Sequence, residues 1–324
     1  MMPAFPYVRV RSLKEGIKHL SSGDARVYAG GTDLLGCLRE NAFTAGKAVS
    51  ISSIKELKGI REERGGLRIG ALSTITQVAE SALVKKLYPG LARAASEVGS
   101  PQLRAQGTIG GNICQKPRCW YYRGDFHCIR KGGDKCFAFA GENQYHCIFG
   151  GAGCFIVHPS DTAPALSAFQ ATVRIAGPKG SRSVPVDQFF VPPAIDPWKE
   201  TVLEPGEIVT EISIPAPPPG LRSSYRKVRA RRSWDFALAG VALAVRFDGA
   251  RVSEAHVWLS GAAPVPWRSK EVEQEILGKR LDEKTIARAS EAALRTAEPL
   301  TKNGYKIPLF RAVIEEELEA IARA

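Results

Sequence analysis

The chain has 324 residues, 44% of them hydrophobic, and 45 Lys+Arg against 33 Asp+Glu give a formal net charge of +12. That length supports two or three subdomains with cores of their own, which excludes a disordered or fibrous chain. No run of about 18 apolar residues occurs, and MMPAFPYVRVRSLKEG has no apolar segment behind its charges, so the expectation is a cytoplasmic protein without signal peptide or membrane span.

In chain order, Ser12 with Glu15 three residues on is a capping-box pattern that predicts a helix over LKEGIKHLSSG, ending near Gly23. ARVYAGGTDLLGCLRE reads as a short strand, a glycine turn and a helix beginning near Thr32 or Asp33. KAVSIS and GLRIGALST read as strands, and ITQVAESALVKKL and PGLARAASEVG as helices. After RAQGTIGGN the pattern stops: residues 115–153 hold no sustained period. In CFIVHPSDTAPALSAFQATVRIAG a strand leads to a helix capped near Ser160 or Asp161 and then to another strand. TVRIAGPKGSRSVPV is a hairpin around Pro178 and Gly180, EIVTEISIP a strand stopped by Pro215, and PAPPPGL (215–221) a linker.

The densest basic run, RSSYRKVRARR (222–232), passes directly into SWDFALAGVALAV, whose small and β-branched residues read as buried strand. A basic strand feeding a core is unlike a disordered nucleic-acid arm; a solvated or partner-facing edge and a phosphate-bearing ligand both account for it. FALAGVALAVRFDGARVSEAHVWLSG is a hairpin about Asp248-Gly249, and helices follow in SKEVEQEILG, DEKTIARASEAALRTAE and LFRAVIEEELEAIARA. Short strands with segregated helices define an α+β fold, divided into residues 1–216 and 222–324.

Two segments carry candidate chemistry. AGGTD (29–33) and TIGGN (108–112) are double-glycine turns, where the backbone can approach a ligand closely and aim successive N–H groups at a phosphate; Thr32 and Asn112 add side-chain hydrogen bonds. Neither fits G-x-G-x-x-G or a P-loop, and each alone is equally readable as an ordinary turn. The second segment is cysteine-rich: Cys114, Cys119, Cys128, Cys136, Cys147 and Cys154 lie within 114–154, while Cys37 stands apart. In a reducing compartment such clustering points to metal rather than disulfides. Zinc favours close C-x2–4-C pairs, and Cys114-x4-Cys119 is the one near match, with His127, His146 and His158 available for a mixed site.

Taken together, YAGGTDLL, GTIGGNI, SDTAPAL (160–166) and YRKVRARRSWDFALAGVA (225–242) resemble, in order and over nearly the whole chain, the FAD-binding medium subunit of the molybdenum hydroxylases, the family of xanthine dehydrogenase and carbon monoxide dehydrogenase. The resemblance implies that Ala29, Gly30, Gly31, Thr32 and Asp33 line the pyrophosphate of FAD, that Thr108, Gly110, Gly111 and Asn112 form the second FAD loop, and that Asp161 and Lys227 hold the ribityl or flavin end. The stretch 115–154 is an insertion in that pattern. It resembles the β subunit of 4-hydroxybenzoyl-CoA reductase, whose similar loop carries an extra [4Fe–4S] cluster, and this implies Cys119, Cys128, Cys136 and Cys154 as ligands. Cys147 is the alternative to one of the four. Cys114 and Cys37 read as small buried residues.

The function implied is electron transfer between FAD and an external carrier such as ferredoxin, within an oxidoreductase whose large subunit holds the molybdenum cofactor and whose small subunit holds a [2Fe–2S] cluster. The whole enzyme would then be 4-hydroxybenzoyl-CoA reductase or a related enzyme of aromatic-compound metabolism. No general acid, base or nucleophile constellation emerges from the chain, so no catalytic residue is assigned. A self-contained flavin oxidase and a basic zinc-binding nucleic-acid module are the competing readings; the resemblance implies neither nucleic acid nor membrane as a partner.

Overall fold

A computed structural model describes residues 4–323; positions 1–3 and 324, at the outer edges of the expected 1–216 and 222–324 units, lie outside the described residues. Strand β1 (Tyr7–Arg9) leads into Ser12, whose hydroxyl accepts the Glu15 N–H at 3.3 Å and starts helix α1 (Leu13–Leu20). The capping box does not close on Ser12 itself: Glu15 Oε2 accepts the Arg11 N–H instead, at 2.9 Å. Strand β2 (Ala25–Tyr28), helix α2 (Leu34–Arg39) and strand β3 (Lys47–Ser50) complete a parallel sheet in the order β1-β3-β2. Val10, Leu20, Val49 and Ile51 form its core together with Leu72 and Ile208 from the next unit.

That unit opens with the hairpin β4 (Ile60–Glu63) and β5 (Gly66–Gly70), followed by helices α3 (Ile75–Glu80), α4 (Ala82–Leu87), α5 (Pro89–Ser96), α6 (Pro101–Gln106) and α7 (Ile109–Ile113). The expected single helix over 75–87 is two, because Ser81 leaves helical geometry (ψ 124°) and its hydroxyl caps Val84 N–H at 3.4 Å. A serine inside a helical pattern competes as a cap, and here it wins. The insertion contains a short α-helix, α8 (Trp120–Arg123), and a 3-10 turn over Ile129–Lys131. Helix α9 (Thr162–Ala168) follows, then β6 (Thr172–Gly177), β7 (Gly180–Pro185) and β8 (Ile208–Ile214), giving an antiparallel sheet β4-β5-β8-β6-β7.

The strand expected at 154–158 does not form. Its Phe155 carbonyl accepts Cys147 N–H and its His158 N–H donates to Ala263 O, so the segment bonds to two different neighbours and joins no ladder. One face of the five-stranded sheet buries Leu67, Ile69, Val173, Ile175, Ile212 and Ile214 against α3, α5 and α9. The opposite face is polar, the alternation that period-two strands impose on a sheet covered on one side.

The third unit is a sheet β12-β11-β10-β9, built from β9 (Leu221–Val228), β10 (Ala239–Asp248), β11 (Arg251–Ser260) and β12 (Trp267–Arg268), and backed by α10 (Lys270–Ile276), α11 (Glu283–Ala292) and α12 (Lys306–Arg323). Its β10 segment AGVALAV is buried on both faces. Ala242 and Ala244 join the core of the second unit, while Val241, Leu243 and Val245 pack under α10–α12. Small residues face inward where α5 crosses: Gly90 sits so close to β9 that a Cβ there would lie 3.1 Å from Ser224 O. The mixed α and β layers match the expected α+β class. No described helix is long and apolar enough to cross a membrane.

Candidate functional site

Between the parallel sheet and the second unit runs a cleft of about 640 Å³, lined by both glycine turns. Gly31 has φ +72°, a left-handed conformation that an L side chain rarely adopts, and a Cβ there would lie 2.8 Å from the Tyr28 ring. A Cβ on Gly30 would run into the carbonyl oxygen of Gln106, so the first turn packs on the backbone that leads into the second. Among the described residues the N–H groups of Gly30, Gly31 and Thr32 have no hydrogen-bond partner. Three consecutive donors left open toward a cleft suit an anionic oxygen cluster.

The second turn is built differently. Thr108 Oγ1 accepts Gly111 N–H at 3.1 Å, Gly110 N–H donates to Ala71 O at 3.0 Å, and a Cβ on Gly110 would lie 2.9 Å from that of Ala71. Asn112 Oδ1 accepts from both Ser160 Oγ and Thr162 Oγ1 at 2.6 Å, which locks α7 onto the start of α9. The N–H groups of Gly110, Gly111 and Asn112 are thus already paired, so the glycines of this turn contribute shape.

Asp161 lines the cleft and Lys227 stands one layer behind it. Lys227 Nζ lies 2.7 Å from Asp161 Oδ2 and 3.2 Å from Glu97 O, and Tyr225 OH donates to Asp161 Oδ1 at 2.8 Å. Burial pushes the Asp161 carboxyl upward and Lys227 pulls it back. Lys227 and Tyr225 together hold the Asp161 carboxylate at the cleft wall.

Asp33 has an unexpected set of partners. Its carboxylate faces the insertion, accepting Lys116 N–H at 2.8 Å and pairing with Arg118 at 2.6 Å and Arg123 at 2.8 Å. Burial alone would raise this carboxyl, but the two guanidiniums hold it below the ordinary aspartate value. The charge is thereby neutralised before any anion meets it, and the first turn is fastened to the insertion. Because the folded value is depressed, the contribution to stability is full above the unfolded pKa near about 3.9 and is lost as pH falls through the folded value. Asp33→Asn should lower stability by about 1.5–3 kcal/mol at pH 7, read by urea unfolding, with the difference from wild type shrinking below about pH 4.

Aromatic rings line part of the cleft. Arg26 lies over Phe43 at 5.4 Å, and Arg118 over Phe236 at 5.2 Å, beside Trp234. None of these rings was singled out in sequence. Their signal was absent because isolated aromatics carry no spacing.

In the insertion, Cys136 and Cys154 share a hydrogen bond that lowers the Cys136 thiol to about 6 and raises that of Cys154. Cys119 and Cys128 pack in one apolar cluster with Tyr122 and Phe137, and burial lifts Cys119 to about 11, with Cys136 and Cys128 adding to the rise. His146 Nε2 is 3.3 Å from Cys119 Sγ; burial drops this histidine to about 4, so it is neutral. Cys147 is buried with its thiol pushed up to about 12, Cys114 packs beside the second core, and Cys37 is buried on α2. Among the described residues no three His, Cys, Asp or Glu side chains converge as chelators of a single metal ion.

A flavin-sized cleft with open backbone donors, set on this three-unit frame, defines a nucleotide-cofactor subunit. Residues 3–217 match the family described as the FAD binding domain in molybdopterin dehydrogenase, and residues 223–316 match the CO dehydrogenase flavoprotein C-terminal domain. The chain belongs to the FAD-binding subunits of the molybdenum hydroxylase oxidoreductases. It is 33% identical over 329 residues to the aldehyde oxidoreductase FAD-binding subunit of Escherichia coli, covering all of both chains. It is 30% identical to the carbon monoxide dehydrogenase medium chain of Hydrogenophaga pseudoflava, covering 92% of this chain and 88% of that one. A solved structure of carbon monoxide dehydrogenase from Hydrogenophaga pseudoflava superposes with a TM-score of 0.79 at 28% identity, over 99% of this chain and 98% of that one.

Proposed function

We propose that this chain is the flavin and iron–sulfur subunit of a molybdenum-containing oxidoreductase, working beside a large molybdenum-cofactor subunit and a small [2Fe–2S] subunit. The observation that carries the reading is the cleft itself: Gly30, Gly31 and Thr32 offer N–H donors with no partner among the described residues, and Asp33 fastens that same turn to the cysteine insertion. Ala29 and the first turn take the FAD diphosphate, while Thr108, Gly110, Gly111 and Asn112 shape the opposite wall. Asp161, held by Lys227 and Tyr225, faces the polar chain of the flavin. FAD supplies the conversion between two-electron and one-electron chemistry, and the chain's residues supply position, charge balance and exclusion of water.

The second centre is a [4Fe–4S] cluster on Cys119, Cys128, Cys136 and Cys154. The donor type fits: Cys119 and Cys128 pack in one apolar cluster with Tyr122 and Phe137, and Cys136 lies near enough to Cys119 and Cys154 for their thiols to influence one another. Such a cluster takes one thiolate at each of four irons, so its ligands need not converge on one ion. A carrier such as ferredoxin is the external partner we assign. For the assembled enzyme the end-to-end relative, an aldehyde oxidoreductase by name, favours an aldehyde substrate. The cysteine insertion favours a second reading, reduction of a 4-hydroxybenzoyl-CoA-type thioester.

The test is the anaerobic absorption spectrum of the purified chain with iron, sulfide and zinc analysis. Flavin bands on a broad iron–sulfur background, with about four irons per chain, are expected. One zinc and no colour would overturn the proposal.

A further inference from the structure

Arg130 occupies an unusual position. Its side chain is 2% exposed, on the short turn after Cys128, and its Nε lies 3.3 Å from Cys154 Sγ. Its Nη1 pairs with Glu200 Oε1 at 2.8 Å, and Glu200, 8% exposed, also accepts Lys116 Nζ. One carboxylate thus serves two cations. The neighbouring His158 is held neutral, its pKa lowered to about 3 by burial and by Arg130. The sum of Arg130, Lys116 and Glu200 is one positive charge beside a cysteine sulfur.

A buried cation without full compensation is costly unless an anion meets it. The geometry places the Cys154 sulfur 3.3 Å from Arg130 Nε, and as a cluster ligand that sulfur would carry the negative charge the cation meets. Lys116 lines the flavin cleft, so the chain Lys116–Glu200–Arg130–Cys154 also joins the cleft to the cysteine pocket.

We infer that Arg130 is a positioning residue for electron transfer: its guanidinium donates to the Cys154 thiolate and holds the reduction potential of the cluster up. The inference rests on the cluster reading given above. Hydrogen bonds to the sulfurs and local charge are among the terms that set such potentials. Reduction adds negative charge, so a fixed cation stabilises the reduced form, and its removal moves the potential to a more negative value.

The experiment uses the purified full chain with FAD, and compares wild type, Arg130→Gln and Arg130→Lys. Iron, sulfide and flavin contents are measured first, then the midpoint potential by EPR-monitored titration. Arg130→Gln, which removes the charge, should shift the redox equilibrium at least tenfold toward the oxidised form, 59 mV for one electron. Arg130→Lys, which keeps the charge and loses the fixed Nε–H, should shift it less and in the same direction. Both should keep FAD. Iron-replete variants at the wild-type potential would overturn the inference, and so would an unshifted Arg130→Lys if it alone retains iron. Wild type without iron and sulfide would instead take down the cluster reading and this inference with it, so the two failures are distinguishable.

Discussion

Gly31→Val yields a folded chain that purifies without FAD. Position 31 is left-handed (φ +72°), and the new Cβ would press on the Tyr28 ring at 2.8 Å. A left-handed non-glycine costs roughly 1–2 kcal/mol, and for a β-branched residue it is a true outlier. Overpacking adds about 1–3 kcal/mol. The turn escapes by changing its backbone angles, and the N–H groups of Gly30, Gly31 and Thr32 then no longer aim together into the cleft. Gly111→Ala is the matched control. Its backbone is not left-handed, and a Cβ there meets Thr108 Oγ1 at 3.1 Å, so Thr108 must give by a few tenths of an ångström. FAD should weaken in Gly111→Ala and vanish in Gly31→Val, as read from flavin released by denaturation. Equal flavin content in Gly31→Val and wild type would remove the first turn from the FAD site. Flavin that stayed on the denatured polypeptide would show a covalent link that no residue of either turn can make.

The parts of the fold legible in sequence are those where local chemistry and tertiary packing agree. AGVALAV reads as buried strand, and the fold buries it on both faces; the turns at Pro178 and at Asp248-Gly249 sit where the residues favour them. The β4 strand IREE was illegible because it is an exposed edge strand with charges on both faces, and it pairs only with β5. FIVHP has a strand-like composition, yet its backbone partners lie in two separate segments.

At the site the glycine turns announced themselves, since only glycine tolerates such backbone and such closeness. The charges that complete the site did not. Asp33 finds Arg118 and Arg123 across the insertion, and Arg130 finds Glu200 from a loop with no recognisable motif. Ion pairs between distant segments leave no periodicity, so only the fold reveals that Asp33 faces the insertion and Lys227 backs Asp161.

Cys136→Ser separates the two proposed centres most sharply. Cys136 sits in the middle of the insertion and does not line the flavin cleft, so its loss should leave the glycine turns and the FAD intact. Serine is nearly isosteric but a poor thiolate substitute. Even outer partners of metal ligands change metal affinity roughly 10–100-fold, so losing a ligand should strip the iron outright. The variant should keep its flavin bands, lose the broad iron–sulfur absorbance, still exchange electrons with small dyes that reach the flavin, and fail to exchange them with ferredoxin. Cys147→Ser is the discriminating companion. Cys147 is the one alternative to the assigned four, so with Cys119, Cys128, Cys136 and Cys154 as the ligand set this variant should retain iron and ferredoxin exchange. Iron lost from Cys147→Ser and kept in Cys136→Ser would transfer the ligand role to Cys147. Iron lost from Cys136→Ser with ferredoxin exchange unchanged would keep the cluster and deny it the connecting role, leaving the flavin itself as the point at which the external carrier delivers or takes its electrons.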